Sequence, residues 1–294
     1  MQLGTGLFTA QQRPDDDREM SALYDEVLAV TRAIEDAGLD SAWVSEHHFA
    51  EDAATVDLLS DDRLTLGLAI GSNPREFDVF GVPREERAER LADLVEFLGG
   101  AWSEGELGYD SEFHDVPTDV SITPRPAGEH VPVMLGGAAK PAVRRAARTA
   151  DAWCAPSSLS IGAIKKRVED IRTVRENEGI EGDFTVYVIQ HGWVGDSREE
   201  AWETMKGGYL YIQRRYAEIF SGEPVDELDP ERRQELKDQA IFGTPEQVTE
   251  RLETYEKALG DDVHFIFRTY HPGVGTDAMT DCIHRLGEEV APEL

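Results

Sequence analysis

The residues best suited to proton transfer are two adjacent histidines, His47 and His48, at the end of a short apolar segment that begins at Ser41. Neighbouring side chains of a strand point to opposite faces, so we do not expect both histidines to bind one metal ion. Each is either a rim residue with satisfied hydrogen bonds or a group that points into a ligand site. In the second case an imidazole pKa near neutrality suits general acid–base catalysis.

A second candidate is a glycine-containing turn between an apolar segment and a helix. The sequence Gly-Gly-Ala-Ala at 136–139 follows the apolar run 131–135. Glycines let the backbone approach an anion, and free N–H groups at a helix N-terminus favour phosphate. Residues 130–150 contain no Asp or Glu. The basic residues in this window are Lys140, Arg144, Arg145 and Arg148. The pattern indicates a phosphate site, and the alternative is a tight turn before a helix with a solvated basic face.

Three further segments carry weaker signals. Gly71 indicates either close approach of the backbone to a ligand or an ordinary turn. The segments Gln-His-Gly-Trp at 190–193 and Phe-Arg-Thr-Tyr-His at 267–271 contain aromatic rings, which either stack on a planar ligand or pack in the core. His264 comes early in its apolar segment, so we expect it to lie outside the site.

Strand-like and helix-like segments alternate along the chain, which predicts a parallel sheet covered by helices. Seven strands are predicted, starting near residues 3, 41, 64, 131, 152, 184 and 263. A closed barrel of this kind has eight. We therefore predict an α/β fold, a TIM-type (β/α) barrel with seven of the eight strands. Residues 1–294 are expected to form one barrel domain, with excursions at about 103–126 and 221–243. Thr-Pro-Glu-Gln at 244–247 predicts a helix start with a capping box.

The net charge of the chain indicates the salt conditions to which it is adapted and the partners that it can bind. It carries 59 acidic and 29 basic residues, a formal net charge of −30. Self-repulsion of this size destabilises a compact chain at low salt. A hydrophobic fraction of 40% with regular periodicity argues against a disordered acidic protein, so adaptation to high salt is expected. Nucleic acid and anionic membranes are poor partners for such a surface.

Other features of the sequence favour a cytoplasmic protein. It has no run of about 18 apolar residues, and its first residues do not resemble a basic leader or a signal peptide. Cys154 and Cys282 lie far apart and outside any Cys-x-x-Cys pattern. Reduced thiols are therefore expected rather than a disulfide.

Taken together, several segments resemble the bacterial-luciferase-like family of flavin-dependent monooxygenases and oxidoreductases, and the resemblance covers nearly the whole chain. The similar segments are the opening strand that ends at Phe8, Ala-Trp-Val-Ser-Glu-His-His-Phe at 42–49, Glu-Asp-Ala-Ala-Thr-Val-Asp-Leu-Leu-Ser at 51–60, Leu-Thr-Leu-Gly-Leu-Ala-Ile-Gly at 64–71, and Gly-Gly-Ala-Ala at 136–139 before Arg-Arg-Ala-Ala-Arg. Their combination in this order is more specific than any one of them.

The resemblance implies a TIM-type barrel, FMN or a related flavin at the barrel mouth, and a homodimer. It implies that His47 is the active-site histidine, with Glu46 beside it. The residues that it assigns to the flavin phosphate are Gly136, Gly137, Ala138 and Ala139. Phe8 and Gly71, at the ends of their strands, complete the predicted cofactor-binding set. No metal site is predicted.

The chain departs from the family pattern after Phe49. In the family, a helix and a third strand come between the Glu-His-His-Phe strand end and the helix that resembles 51–60. Here Ala50 leads directly to Glu51. Roughly 30 to 40 residues are missing, about one eighth of a barrel of ~250 residues. In the family the missing strand lines the flavin ring, and its loss would leave strand edges unpaired.

The resemblance implies a monooxygenase that uses reduced FMN and dioxygen on a small organic substrate, with a separate flavin reductase. Two alternatives stay open. One is an enzyme that transfers hydride with a reduced deazaflavin coenzyme. The other is a non-catalytic relic or binding protein that has lost part of the flavin pocket.

Overall fold

The computed structural model describes residues 1–8, 20–44, 57, 60–102, 107–120, 125–126, 128–260 and 263–294. The chain divides into two units, which are taken in turn below. The first unit contains residues 1–47, 156–165 and 187–294, and therefore both chain ends. The second unit contains residues 48–155 and 166–186.

Strands and helices alternate along the described ranges. The strands are β1 (Gln2–Phe8), β2 (Ser41–Val44), β3 (Leu66–Leu68), β4 (Leu107–Asp110), β5 (Asp115–Val120), β6 (Val133–Gly136), β7 (Ala152–Ala155), β8 (Thr185–Val194), β9 (Ile241–Gly243) and β10 (Val263–Arg268). The α-helices are α1 (Met20–Asp36), α2 (Pro74–Phe80), α3 (Arg87–Trp102), α4 (Lys140–Thr149), α5 (Ile161–Glu178), α6 (Arg198–Ser221), α7 (Pro230–Gln239), α8 (Pro245–Leu259) and α9 (Thr276–Arg285).

The sheet of the first unit has the strand order β2–β1–β10–β8, and β9 adds to β8. The β1–β10, β1–β2 and β8–β9 pairs are parallel. All six residues of β10 are buried, as expected for a parallel strand covered on both faces. Helix α8 begins with the predicted capping box, in which Thr244 and Gln247 each bond the other's backbone N–H. That prediction is confirmed.

The sheet of the second unit places β6 between β3 and β7, and both pairs are parallel. Helix α4 buries small side chains, which are Ala142, Val143, Ala146 and Ala147. Strands β4 and β5 form a separate antiparallel hairpin. The hairpin is attached to α3, because the Tyr109 hydroxyl donates to the Asp93 carboxylate over 2.9 Å. Burial, together with this bond, raises the pKa of Tyr109 to about 12.

The seven predicted strands all form, and they correspond to β1, β2, β3, β6, β7, β8 and β10. The two predicted excursions contain structure that the sequence did not predict. The first holds the β4–β5 hairpin, and the second holds α7 and β9. The hairpin was missed because its second strand, Asp-Val-Pro-Thr-Asp-Val, is mostly exposed and has a proline, which an edge strand tolerates.

Two strands have a single strand partner within the described residues. Strand β2 pairs with β1 alone, and β3 pairs with β6 alone. These strands flank the position in the sequence at which the βα unit was predicted to be missing.

Three simpler expectations can be compared with the structure. Cys154 and Cys282 are buried free thiols, which confirms the prediction of reduced cysteines. None of the helices in the described ranges combines the length and apolar character needed to cross a lipid bilayer. Over the same ranges, His, Cys, Asp and Glu residues form no group of three that could hold a metal ion.

Candidate functional site

The turn between β6 and α4, in the second unit, has the backbone geometry of an anion site. Gly137 has a φ of +145°, a conformation that residues with a side chain rarely adopt. A Cβ atom there would lie 2.8 Å from the Cβ of Ala142. Both the backbone conformation and the close approach of α4 therefore require glycine at this position. Ala139 then serves as the N-cap of α4, but its side chain cannot cap the helix.

The carbonyl groups of this turn are all held by neighbouring residues. The indole Nε1 of Trp153 donates to the Gly137 carbonyl over 2.9 Å. The Arg167 Nε donates to the Ala138 carbonyl over 3.0 Å, and the backbone of Val143 bonds the Ala139 carbonyl. The N–H groups of residues 138–140, in contrast, have no acceptor among the described residues. Partly exposed N–H donors at a helix N-terminus match the needs of a phosphate.

The basic residues of the same segment do not form one patch. At the start of α4, the Nζ of Lys140 lies 3.4 Å from the Oδ1 of Asp170. Arg148 forms a bidentate pair with Glu178, which raises the pKa of Arg148 and lowers that of Glu178. Eight residues of helix separate Arg148 from Lys140, about 12 Å along the axis. The predicted basic window therefore splits into parts, and Arg148 lies away from the β6–α4 turn.

A buried polar cluster occupies the first unit, where two segments with weak sequence signals come together. His191 lies on β8, and Arg268 and His271 lie at and just after the end of β10. The His191 and His271 rings are stacked with their centroids 5.7 Å apart. Both are buried, and so is Arg268, which is 3% exposed. The hydroxyl of Thr5 bonds Thr269 over 3.0 Å and holds the chain after β10 in place.

Helix α6 covers this cluster with one of its faces. Tyr209, Gln213 and Tyr216 follow one another at intervals of four and three residues, so they share that face. The Tyr209 ring lies 4.5 Å from that of His191, and Gln213 Nε2 lies 3.4 Å from His191 Nε2. Gly208 allows the close approach of the helix. A Cβ atom there would lie 2.6 Å from the carbonyl oxygen of Pro272.

Burial keeps both histidines neutral. It lowers the pKa of His271 to about 3, although the bond to the Gly192 carbonyl opposes the shift. It also lowers the pKa of His191 well below its usual value, helped by the charge of Arg268. Burial lowers the pKa of Arg268 too, while a hydrogen bond with Tyr216 opposes that change. A guanidinium stays protonated in proteins, so the cluster contains one cation and two neutral imidazoles.

The hydrogen bonds assign the imidazole tautomers. The Nε2 of His271 lies 3.2 Å from the Gly192 carbonyl and must donate, which leaves its Nδ1 as an acceptor. The amide nitrogen of Gln213 donates to the Nε2 of His191, so His191 carries its proton on Nδ1. Neither Nδ1 atom has a partner in the described structure, and neither does Arg268 Nε.

His264 lies near the start of β10 and belongs to a different network. Trp43 Nε1 donates to the hydroxyl of Ser41 over 2.6 Å, and that hydroxyl donates to His264 Nε2 over 2.7 Å. His264 Nδ1 donates in turn to Gln2 over 3.1 Å. Burial lowers the pKa of His264 to about 4, with opposition from Asp40. A neutral histidine that both accepts and donates in this chain holds β1, β2 and β10 together.

The remaining predicted site residues stand as follows. Glu46 and His47 lie outside the described residues, and so does the side chain of Phe8, whose backbone ends β1. Gly71 has a φ of +75°, and a Cβ atom there would lie 2.9 Å from the ring of Phe77. The turn and this packing account for glycine at 71, and its role in cofactor binding stays a prediction.

Similarity to known proteins identifies the family to which this chain belongs. Residues 48–262 match the family of luciferase-like monooxygenases. The chain belongs to this family. An FMNH2-dependent dimethylsulfone monooxygenase of Pseudomonas putida is 27% identical to this luciferase-like chain over 202 residues, which cover 66% of the chain and 54% of that protein. An uncharacterised protein of Mycobacterium tuberculosis is 29% identical over 140 residues, or 48% of the chain and 47% of that protein. The chain thus spans about half the length of the curated relatives it matches.

Solved structures show the same fold over nearly the full length of this luciferase-like chain. Monooxygenase RslO1 from Streptomyces bottropensis superposes with a TM-score of 0.84 at 18% identity and 99% coverage of both chains. An F420-dependent secondary alcohol dehydrogenase gives 0.72 at 14% identity, covering 100% of this chain and 99% of that one. The FMN-bound oxygenating constituent of 3,6-diketocamphane monooxygenase from Pseudomonas putida gives 0.71 at 17%, with the same coverage. These likenesses confirm the predicted α/β fold, a TIM-type luciferase-like fold with seven parallel strands.

Proposed function

We propose that the chain is a flavin-dependent monooxygenase that uses reduced FMN and dioxygen on a small organic substrate. Its family supports this reaction class, and the β6–α4 turn is the structural feature that supports binding of the cofactor. When bound, reduced FMN would supply the electrons that activate dioxygen. The chain would contribute the N–H groups of residues 138–140 as donors to the phosphate, with Gly136 and Gly137 shaping the turn.

The turn is built for this task in a way that a plain helix start is not. Trp153 and Arg167 each hold a carbonyl oxygen, which fixes the peptide planes and leaves the N–H groups free. No acidic residue lies in the first turn of α4 to repel an anion. The observed residues therefore fit a flavin phosphate.

The other assigned roles are part of the same proposal. His47 would move a proton to or from the substrate, and Glu46 would orient it. Phe8 and Gly71 would contact the flavin. A separate reductase would supply the reduced cofactor, and a homodimer would be the working form, as the family resemblance implies. The cytoplasm around it would be rich in salt, as the charge of −30 suggests.

Two other functions are supported by particular observations. The likeness to an F420-dependent dehydrogenase supports hydride transfer with a deazaflavin, which also carries a phosphate. The short sequence between β2 and β3, each with one described strand partner, supports a relic that has lost part of the ring pocket. Oxygenation of an organic substrate that requires both reduced FMN and dioxygen would support the monooxygenase, and turnover of reduced F420 without dioxygen would support the dehydrogenase.

The first test is FMN binding, measured by quenching of flavin fluorescence in high salt. Two variants at one position separate phosphate binding from folding. Ala139→Asp and Ala139→Ser both add an N-cap acceptor, so both should stabilise α4. Only Asp adds a negative charge beside the phosphate. We expect Ala139→Ser to bind FMN like the parent chain and Ala139→Asp to bind at least tenfold more weakly.

Riboflavin, which lacks the phosphate, provides the matched ligand. Its affinity should be the same for the two variants. Equal FMN affinity for Ala139→Asp and Ala139→Ser would show that the phosphate does not bind at this turn. A chain that binds FMN only after a βα unit is inserted after Phe49 would support the relic instead.

A further inference from the structure

We propose that the buried cluster of His191, Gln213, Arg268 and His271 in the first unit binds the carboxylate of a small organic acid. If the proposed function is right, the substrate is then an organic anion. Binding of the carboxylate itself needs no flavin, so the two proposals can fail separately.

The first argument is the charge of Arg268. Arg268 is 3% exposed, and within the described residues no carboxylate pairs with it. The polar groups that interact with it are Tyr216, which shares a hydrogen bond with it, Tyr270 and two neutral histidines. A buried cation without a counter-charge is unfavourable, and an arriving anion would supply that charge.

The second argument is the direction of the free hydrogen-bonding groups. Arg268 Nε–H and His191 Nδ1–H are buried donors without acceptors, and His271 Nδ1 is a buried acceptor without a donor. The Nε–H and a neighbouring Nη–H of one guanidinium lie in a plane and match the two oxygens of a carboxylate. A ligand hydroxyl or amide next to the carboxylate would satisfy His271.

The third argument is access. Tyr216 is 37% exposed, yet its hydroxyl reaches the buried Arg268. The guanidinium therefore lies about one side chain below the surface. The neighbouring Phe220 is 66% exposed and stacks on Tyr216, with the ring centroids 6.2 Å apart. These exposed aromatic rings at the end of α6 would provide an apolar surface for the organic part of such an acid.

Thermal unfolding of the flavin-free chain provides the test. Potassium benzoate is the probe and benzamide is its neutral counterpart. Potassium chloride is adjusted so that every sample has the same total potassium concentration. A ligand that binds the folded state raises the midpoint of unfolding. We expect benzoate to raise the midpoint in a saturable way and benzamide to leave it unchanged. No difference between the two probes would overturn the proposal.

Two variants then assign the response to the cluster. Arg268→Met removes the unpaired cation at similar volume, so it should unfold no lower than the parent chain and should lose the benzoate response. Gln213→Glu places a carboxylate within the cluster. It should unfold higher than the parent without ligand and should weaken benzoate binding at least tenfold.

Other results would overturn the proposal. One such result is a parent chain whose midpoint of unfolding does not respond to benzoate, together with a sharp fall of that midpoint in Arg268→Met. It would mean that a carboxylate of this chain already pairs with Arg268. A benzoate response that survives both substitutions would place the anion elsewhere. Loss of FMN binding in Arg268→Met but not in Ala139→Asp would assign the flavin phosphate to Arg268.

Discussion

The β6–α4 turn and the buried cluster of the first unit offer hydrogen-bond donors in opposite ways. The turn presents backbone N–H groups at a partly exposed helix N-terminus. The cluster presents side-chain donors that are almost fully buried around one cation. A backbone site depends on local conformation and carries no titrating group. A side-chain site depends on packing across the whole unit, and its charge makes it sensitive to pH and to bound anions. Four measurements would break or sharpen this contrast.

Acid should produce the largest effect, through buried histidines of the first unit. His264 and His271 have pKa values lowered to about 4 and about 3, so the folded state holds them neutral while the unfolded state takes up protons below pH 6.5. Their stabilisation is therefore complete above pH 6.5 and is lost as pH falls through these values. At ~1.4 kcal/mol for each unit of pKa shift, the loss is about 3 kcal/mol for His264 and about 5 kcal/mol for His271.

Denaturant unfolding of the parent chain and His264→Gln, from pH 7 to pH 3.5, measures the first of these losses. Glutamine can still donate to Gln2 and accept from Ser41 but does not titrate. The difference in free energy of unfolding between the two chains should shift by about 3 kcal/mol below pH 6.5 in favour of the variant. Parallel pH curves would show that His264 does not titrate as described. Weakening self-repulsion in acid affects both chains and cancels.

Substitution of a helix glycine should separate the two regions next. Gly208→Ala forces a Cβ atom against the backbone of Pro272, and the overpacking should cost about 3 kcal/mol. It should also abolish the benzoate response and leave the Ala139→Asp effect on FMN intact. The matched control is Gly207→Ala, one residue earlier in α6, where a Cβ atom meets nothing within 4 Å. That change should stabilise the helix by about 1 kcal/mol. Equal stability changes for both substitutions would contradict the described contact.

Within the turn, the guanidinium of Arg167 should matter through its bond to the Ala138 carbonyl. Arg167→Met should weaken FMN binding about tenfold and lower the free energy of unfolding by about 1 kcal/mol, the usual size of one hydrogen bond. Arg144→Met removes the same charge from an exposed position of α4 and should leave FMN affinity unchanged. If both variants lose affinity equally, general charge and not the orientation of the turn governs binding.

The smallest effect should come from the missing helix cap. Ala139→Ser supplies an acceptor for the N–H group of Ala142, the third residue of α4, and should raise the free energy of unfolding by about 1 kcal/mol, measured in denaturant. Ala150, beyond the other end of the same helix, provides the control position. Ala150→Ser should be neutral. A stabilisation of equal size at both positions would point away from capping.

The same contrast explains what the sequence could predict. The β6–α4 turn was predictable because two glycines, a strand before them and a proline after them are neighbours in the chain. Strands such as β10 and the capping box of α8 were predictable for the same local reasons. The buried cluster joins β8, α6 and β10, up to 80 residues apart in sequence (191 to 271), and no local pattern records such a meeting.

Steric features could have provided one further signal. Gly208 lies in the interior of a 24-residue helix, where glycine is unfavourable unless something packs closely against it. The helix itself was predictable from Ser197 onward, and the contact partner of Gly208 was not. The β4–β5 hairpin escaped detection because exposed strands lack the apolar alternation by which strands are recognised.

The pairing of β1 with β10 has a consequence for folding during synthesis, because the two strands leave the ribosome at very different times. Strand β1 can join β2 as soon as residue 44 has emerged, but its other edge pairs with β10, whose residues start at 263. Most of the second unit lies between them as one stretch, 48–155. During synthesis that stretch is complete while β1 still presents an unpaired edge. A nascent chain of this protein therefore needs protection of the β1 edge until β10 has been made.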